Sequence, residues 1–539
     1  MIIKYKPVIG LEIHAELKTK TKMFCDSLND PDEKHPNINI CPICISHPGT
    51  LPVANEDAVR KVIMTGLALN CKIEKDTFFE RKNYFYPDLP KGYQISQYQR
   101  PLCYGGYLDI PTANRPRTTA SSDGGQLSVS SKRIRITRIH LEEDAGRLYH
   151  LPDKNYSLVD FNRAGVPLME LVTEPDLESG QEVKDFAEEL RLIFRYLGVS
   201  DADMEKGQMR VEVNISLRQT DDGLRQKDNY SGRGQLTVDS KPLLGTKVEV
   251  KNINSIKFAA DAVDYEIKRQ TELLEAGEKV KQETRGWDEN KKQTFSQRTK
   301  EEAQDYRYFP EPDLPPLLIS DKRQETSDQG IFLDEIKALI PELPQQRRER
   351  FAKQYGLPEK DIKLFTTDKL LGDYFEHVAS ELLSFDKLGH LKRPAEEHQN
   401  KLFKLASNYL ITEFKRMAEE VYAESEDTKV SPEMLADLVV RIFHGEVSSS
   451  GAQTVLKEMF ATGVPPGKII EDKDLAQLSN VGDLEMAADK VIADNPKAVE
   501  DYRKGKGASL KFLIGMVMKE SKGRANPQMA EEILKERLE

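Results

Sequence analysis

Three stretches of the chain alternate apolar and polar residues with a period of two, the pattern of a strand buried on one face. They cover residues 133–140, 209–216 and 246–251. In the last two, the acidic residues Glu212 and Glu249 fall on the face opposite the valines and isoleucines. The pattern predicts a largely antiparallel sheet with one apolar and one charged face.

Apolar residues recur near 3.6-residue spacing at 56–69, 180–197 and 256–275, which predicts helices between the strands. Together they indicate an α+β domain over residues 1–335. Lys- and Glu-rich segments with helical periodicity follow, predicting a helical domain over 336–468 in which Ser431 and Pro432 begin a helix. A last all-helical unit is expected over 469–539. The stretch 218–245, rich in Asp, Gly, Ser and Lys, is expected to be an exposed excursion.

Composition narrows the class of protein. The 539 residues are 38% hydrophobic and 31% charged, as in soluble globular chains of roughly two to four domains. No secretory signal and no apolar run of membrane-spanning length is visible. We therefore expect a cytoplasmic or organelle-matrix protein that does not associate with a membrane. A net charge of −11 argues mildly against a general nucleic-acid binder, but a local basic surface would suffice for a tRNA enzyme.

Carboxylates and histidines stand at unusual positions for a protein core. Glu12 and His14 share one strand face, residues 140–146 place three carboxylates beside a histidine, and Glu170 follows on an apolar background. Buried like charges need a counter-charge, and Mg²⁺ is the usual one where the substrate is a nucleotide. A satisfied surface pair is the competing explanation for Glu12 and His14.

Residues 81–97 mix basic, amide and aromatic side chains in a loop punctuated by Pro and Gly, which suits phosphates, ribose hydroxyls and a stacked base. Loops that merely fill a domain edge have the same composition. A P-loop and a dinucleotide fingerprint are absent, and the serine runs lack the setting of an amidase, so ammonia is not expected to be made in this chain.

These motifs together resemble the GatB/GatE family, the B subunits of the aspartyl/glutamyl-tRNA(Asn/Gln) amidotransferase GatCAB. The matching segments are residues 8–14, 81–88, 93–97, 141–146, 172–176, 251–255, 282–285 and 305–313. The resemblance implies a cradle domain, a helical domain and a YqeY-like tail. The stretch 218–245 is too short for the extra domain that GatE members carry.

The resemblance also implies an activity: a glutamine-hydrolysing carbon–nitrogen ligase, as one subunit of a heterotrimer. ATP would phosphorylate the side-chain carboxylate of misacylated Glu-tRNA(Gln) or Asp-tRNA(Asn), and ammonia from the A subunit would displace the phosphate. ATP and Mg²⁺ are the implied cofactors, and the A and C subunits and tRNA the implied partners. A tRNA-binding scaffold without the kinase chemistry is the alternative.

Site residues follow by motif from the resemblance. The implied catalytic residues are Glu12, His14, Glu143 and Lys82. The implied Mg²⁺ ligands are Glu12, His14, Glu143, Glu170 and Glu249, with Glu212 nearby. Substrate or nucleotide would contact Asn83, Tyr84 and Gln97.

A zinc site is a further possibility that the resemblance raises. Many family members bind zinc with Cys-x-Cys followed by Cys-x-x-Cys, and others have lost the site. Here Cys25, Cys41 and Cys44 are present, but the second cysteine of the first pair is replaced by Ser27. Either His35 or His47 could complete a tetrahedral site, or the site is degenerate. Cys71 and Cys103 are expected to be buried small hydrophobes.

Basic residues beside glycines mark the helix junctions of the last unit: Lys504, Lys506, Lys522 and Arg524. Helix N-termini with nearby cations bind phosphate, and glycine allows a nucleic-acid backbone to approach. We therefore predict tRNA contacts there. Glycines that only end helices, with lysines that keep the surface soluble, are the alternative.

Overall fold

A computed structural model describes residues 5–111, 131–151, 154–220, 245–299, 305–323, 330–384, 396–422, 429–476, 481–521 and 524–538. The chain divides into two compact units, Met1–Pro344 and Gln345–Glu539. The three-part division stays a prediction, and most of the expected excursion, residues 221–244, lies outside the described residues. Among the described residues no helix is long and apolar enough to cross a membrane.

The first unit is built on a ten-stranded sheet. The strands of this unit are β1 (Tyr5–Glu16), β2 (Lys72–Ile73), β3 (Asp76–Thr77), β4 (Glu80–Asn83), β5 (Tyr93–Ser96), β6 (Cys103–Tyr104), β7 (Tyr107–Pro111), β8 (Ser131–Glu143), β9 (Arg147–His150), β10 (Ser157–Asp160), β11 (Pro167–Thr173), β12 (Met209–Gln219), β13 (Val248–Lys251), β14 (Glu283–Asp288), β15 (Gln293–Thr299), β16 (Phe309–Pro310), β17 (Leu317–Ser320) and β18 (Ile331–Phe332). The large sheet has the order β15-β14-β13-β12-β1-β11-β8-β6-β2, with β7 also paired to β8. Its pairs are antiparallel except for β13 and β14.

Helices α1 (Glu56–Ala68), α2 (Gly180–Leu197) and α3 (Ile256–Glu275) cover the apolar face of this sheet, and α4 (Leu333–Ala338) closes the unit. The three predicted helices are confirmed. Each begins at an Asn or Ser whose side chain accepts a backbone N–H of the first turn. Alternate residues of β1 enter the core beneath them, among them Ile9, Leu11 and Ile13. Their neighbours in sequence therefore point to the other face of the sheet.

Helices α2 and α3 approach each other closely at Gly180. A Cβ at this position would lie 2.5 Å from the carbonyl oxygen of Ala260 and 2.7 Å from an oxygen of Asp264. The absence of a side chain thus sets the distance between the two helices.

The second unit is helical, and its core residues form two separate clusters, one over 351–470 and one over 484–538. The predicted start at Ser431 is confirmed, since its hydroxyl accepts the N–H of Met434 and Pro432 is the first helical residue. The helices are α5 (Pro344–Tyr355), α6 (Glu359–Thr367), α7 (Lys369–Ser384), α8 (Glu396–Tyr409), α9 (Lys415–Tyr422), α10 (Pro432–Phe443), α11 (Ser449–Thr462), α12 (Pro466–Asp472), α13 (Val481–Asp494), α14 (Pro496–Arg503), α15 (Gly507–Glu520) and α16 (Pro527–Leu538), with a π-helical turn Leu410–Phe414 between α8 and α9. The fold is α+β, as predicted.

Candidate functional site

The charged face of the large sheet is assembled by strand register. On β1, His14 stands opposite Glu170 of β11, and Glu170 stands opposite His140 of β8. On the other side of β1, Glu12 stands opposite Glu212 of β12. Residues from distant parts of the sequence therefore form two adjacent rows across neighbouring strands.

Three groups of potential ligand atoms lie on this face, each with its atoms within 4.8 Å of one another. The groups are Glu12, His14 and Glu170; His140, Glu142 and Glu170; and Glu12, Glu212 and Glu249. Because Glu12 and Glu170 each belong to two groups, the three form one continuous arrangement. We call these seven residues the carboxylate cluster.

Among the residues that the structure describes, three cationic side chains contact the cluster: Lys82, 3.5 Å from Glu142; Arg138, 3.4 Å from Glu170; and Lys251, 2.7 Å from Glu212 and 3.3 Å from Glu249. The five carboxylates of the cluster outnumber these three cations. Carboxylate oxygens are the donors that Mg²⁺ prefers, so the residues present fit this ion.

The pKa values at the site follow from burial and from the neighbouring charges. Burial, and then the carboxylates of Glu170 and Glu212, raise the pKa of Glu12 above its ordinary value. Burial would also raise the pKa of Glu142, but the ammonium of Lys82 outweighs it and lowers this pKa to about 2. Although burial alone would lower the pKa of Lys82, Glu142 raises it above the ordinary value. Lys82 and Glu142 are thus both charged, whereas Glu12 lacks sufficient counter-charge.

Glu143, expected among the Mg²⁺ ligands, does not lie with the cluster. Its carboxylate is 2.5 Å from the ammonium of Lys91 and accepts the backbone N–H of Ile95 at 3.0 Å. Successive residues of a strand point to opposite sides, so Glu142 joins His140 while Glu143 points away. The apolar residues Ile139 and Leu141 carry the sequence signal, because they assign Glu142 to the polar face.

Of the residues expected to contact substrate, some lie beside the carboxylate cluster and others hold neighbouring segments in place. Lys82 lies under the ring of Tyr306, 5.4 Å from its centroid, and beside Glu142. Tyr84 donates to Gln94 at 3.3 Å, and Gln94 donates to Glu142 at 2.9 Å. Lys82 therefore contacts the cluster directly, and Tyr84 is linked to it through Gln94.

Asn83 and Gln97 have internal partners. The amide of Asn83 donates to the carbonyl oxygens of Tyr306 and Arg307, at 3.3 and 2.8 Å, and so holds the aromatic segment over Lys82. Gln97 is fully buried, donates to Thr77 at 3.3 Å and accepts the N–H of Leu141 at 3.2 Å. Both residues position their neighbours. The sequence did not point to the tyrosines of this segment individually, although it placed residues 305–313 among the matching motifs.

The three cysteines expected to bind zinc are brought together, with their sulfurs within 4.8 Å of one another. Neither histidine completes a tetrahedral site, since in the described segment 25–47 no ring nitrogen joins this group. His35 instead contacts Glu33 at 2.9 Å in an exposed position. The residues present therefore do not fit a four-ligand zinc site. Elsewhere in the unit, Cys71 and Cys103 are buried, as predicted.

The basic residues of the last helices lie at the expected junctions. They form ion pairs within their own unit: Lys504 with Glu500 at 2.5 Å, Lys506 with Asp501 at 2.9 Å, and Arg524 with Asp474 at 2.5 Å. Exposed pairs of this kind contribute little to stability. Lys522 lies outside the described residues.

Comparison with known proteins gives matches along most of the chain. Residues 7–325 match the GatB/GatE catalytic domain, and residues 394–538 match the GatB domain. The B subunit of the aspartyl/glutamyl-tRNA(Asn/Gln) amidotransferase of Thermotoga maritima is 44% identical over 541 residues, covering 100% of both chains. The proteins of the same name from Caldicellulosiruptor saccharolyticus and Thermoanaerobacter pseudethanolicus are 45% and 44% identical, covering 100% and 99% of this chain and 100% of their own length.

Proposed function

The chain belongs to the GatB/GatE family, and from that premise we propose that it is the kinase and amidating subunit of a tRNA-dependent amidotransferase. Its substrates would be Glu-tRNA(Gln), Asp-tRNA(Asn) or both, with ATP as the phosphoryl donor. Its partners would be an A subunit that releases ammonia from glutamine and a C subunit. Such an enzyme would work in the cytoplasm or an organelle matrix, where tRNA is charged.

The reaction has two steps. A side-chain carboxylate oxygen of the tRNA-bound amino acid attacks the γ-phosphorus of ATP, and the bond to the β–γ bridging oxygen breaks to release ADP. The nitrogen of ammonia then attacks the acyl carbon, the bond to phosphate breaks, and a proton is lost as the amide forms. Both steps need positioning and charge neutralisation more than a protein nucleophile.

The observation that carries the proposal is the carboxylate cluster, whose five carboxylates outnumber the three cations that contact them among the described residues. Glu12, His14, Glu170, Glu212 and Glu249 would hold Mg²⁺, and we add Glu142 to this set. When bound, Mg²⁺ would neutralise phosphate oxygens and orient them. The absence of a P-loop is consistent with metal and phosphate being held by the sheet rather than by a glycine loop.

Lysine, arginine and tyrosine side chains surround the cluster and would contact the substrate or shield the site. Lys82, held charged by Glu142, can bind an anionic oxygen of the substrate next to the cluster. Arg138 offers a second cation, 3.4 Å from Glu170 and 5.6 Å from the ring centre of Tyr98. Tyr98 and Tyr308 stack at 4.6 Å and shield this side of the cluster.

The alternative, a scaffold that binds tRNA without chemistry, predicts degenerate acidic positions. The acidic positions are present and grouped, which favours the enzyme. The reconstituted complex with A and C subunits should hydrolyse ATP and amidate both misacylated tRNAs, or one of them. Misacylated tRNA that is bound but neither stimulates ATP hydrolysis nor becomes amidated would identify the scaffold instead.

A further inference from the structure

A lysine lies fully buried beside the three cysteines of the first unit. Lys22 is 0% exposed. Its N–H donates to the carbonyl oxygen of Ser27 at 2.9 Å, and its own carbonyl oxygen accepts from Asn55 at 3.2 Å. The lysine is thus fixed at the base of the turn that carries Cys25 and Ser27. A buried ammonium is costly unless it is paired, so its partners indicate its role.

The ammonium of Lys22 has two partners. It donates to the carbonyl oxygen of Phe161 at 3.2 Å and to Sγ of Cys44 at 3.7 Å. The same sulfur accepts the N–H of Cys41 at 3.1 Å and lies 3.8 Å from the hydroxyl oxygen of Ser27. The carbonyl oxygen of Cys41 also lies 3.5 Å from this sulfur. The ammonium of Lys22 and the N–H of Cys41 favour an anionic sulfur at Cys44.

We propose that the ammonium of Lys22, rather than a metal ion, is the cation of this three-cysteine cluster, so that the cluster assembles without zinc. A structural zinc site needs four ligands, and the cluster supplies three sulfurs. Ser27, next to Cys44, offers a neutral hydroxyl in place of a fourth thiolate. A divalent ion bound to these sulfurs would in addition face the like charge of Lys22.

The metal content of the chain tests this directly. The full-length protein, produced in zinc-supplemented medium and desalted, should contain no more zinc by mass spectrometry than its Cys41→Ser variant. Ser27→Cys, which adds the missing thiolate beside Cys44, should retain about one equivalent. One equivalent of zinc in the wild-type chain, together with a lower melting temperature after a zinc-selective chelator, would overturn the proposal.

The role of the ammonium is tested by removing it. Lys22→Met should lower the melting temperature by about 5–10 °C, since it removes the positive charge beside the sulfur of Cys44 and one of the donors to the Phe161 carbonyl oxygen. The exposed Lys20 provides the matched control, and Lys20→Met should melt like wild type. If Lys22→Met also melts like wild type, the ammonium is not the cation of the cluster. Should the variant not fold, the zinc content and chelator response of the wild-type chain decide the question alone.

Discussion

Glu12→Gln tests whether the carboxylates of the cluster repel one another when no cation is bound. The carboxylate oxygen of Glu12 lies within 4.8 Å of those of Glu170, Glu212 and Glu249, and the pKa of Glu12 is raised by burial and by the first two of these. Because folding raises this pKa, the ionised form opposes folding at a pH above it. Glu12→Gln keeps the shape and removes the charge. We therefore expect the metal-free variant to be more stable than wild type near neutral pH, with the difference vanishing in acid, where Glu12 is itself protonated.

The size of the effect follows from Coulomb's law. Two unit charges 4.8 Å apart repel by about 3.5 kcal/mol at an effective dielectric constant near 20. Lys251 and His14 offset part of this repulsion. A net gain of about 1–2 kcal/mol remains, which corresponds to a rise of about 2–4 °C in melting temperature.

The assay is thermal unfolding of the full-length chain in EDTA and in saturating Mg²⁺ with ATP. Wild type should gain about 3 kcal/mol at a hundredfold excess over the dissociation constant, and Glu12→Gln should gain much less. Glu188→Gln, on α2, is the control and should behave as wild type in both conditions. The reasoning is refuted if Glu12→Gln melts below wild type in EDTA. It is also refuted if Mg²⁺ with ATP stabilises Glu12→Gln as much as wild type.

Three further expectations concern catalysis, tRNA and packing. Glu142→Gln should lower ATP-dependent amidation by about 10²–10³-fold, because it removes the partner of the Lys82 ammonium. Glutamine hydrolysis by the A subunit should stay intact, and steady-state rates of both reactions check this. Deletion of residues 471–539 should weaken tRNA binding and make its salt dependence shallower, as filter binding at several salt concentrations would show; unchanged affinity leaves the tail a structural role. Gly180→Ala should destabilise by about 1–3 kcal/mol in denaturant unfolding, because its Cβ meets the Ala260 carbonyl oxygen, whereas Gly515→Ala meets open space and should not.

The period-two pattern of the sequence is enough to predict the charged face. It places Glu12 and His14 on one side of a strand. It also places Glu212 and Glu249 on the face of their strands that points away from the apolar core residues. Those local signals are strong because one face of each strand is packed under helices. The helices can be predicted for the same reason, and the cap at Ser431 follows from the Ser-Pro pair that begins its helix.

Strand neighbours and cross-strand partners cannot be read from the sequence. Nothing local sets Glu170 between His14 and His140, since register across β1, β11 and β8 depends on the whole sheet. A register shift between Val172 and Thr173 also interrupts the alternation of the paired strand β8. The change from Ile134 and Ile136 to Ile139 and Leu141 marks this irregularity in the sequence, and it assigns Glu142 rather than Glu143 to the polar face.

The cysteine cluster shows the same limit at shorter range. The resemblance groups the three cysteines, and the structure brings them together, but the sequence offers histidines as the fourth partner. The side chain that contacts Cys44 is Lys22, and lysine is a residue whose burial is rarely expected. Only the packing of the folded chain shows which charge lies beside the sulfurs.

The most direct measurement follows the γ-phosphate of labelled ATP in the complex reconstituted with A and C subunits, with glutamine withheld. We expect label to move to the aminoacyl group of misacylated tRNA with wild-type chain, and to be released as phosphate when ammonia is added. With Glu142→Gln, transfer should fall by about 10²–10³-fold. Transfer at the wild-type rate in that variant, or amidation by the wild-type complex without consumption of ATP, would contradict the carboxylate cluster as the site of phosphorylation.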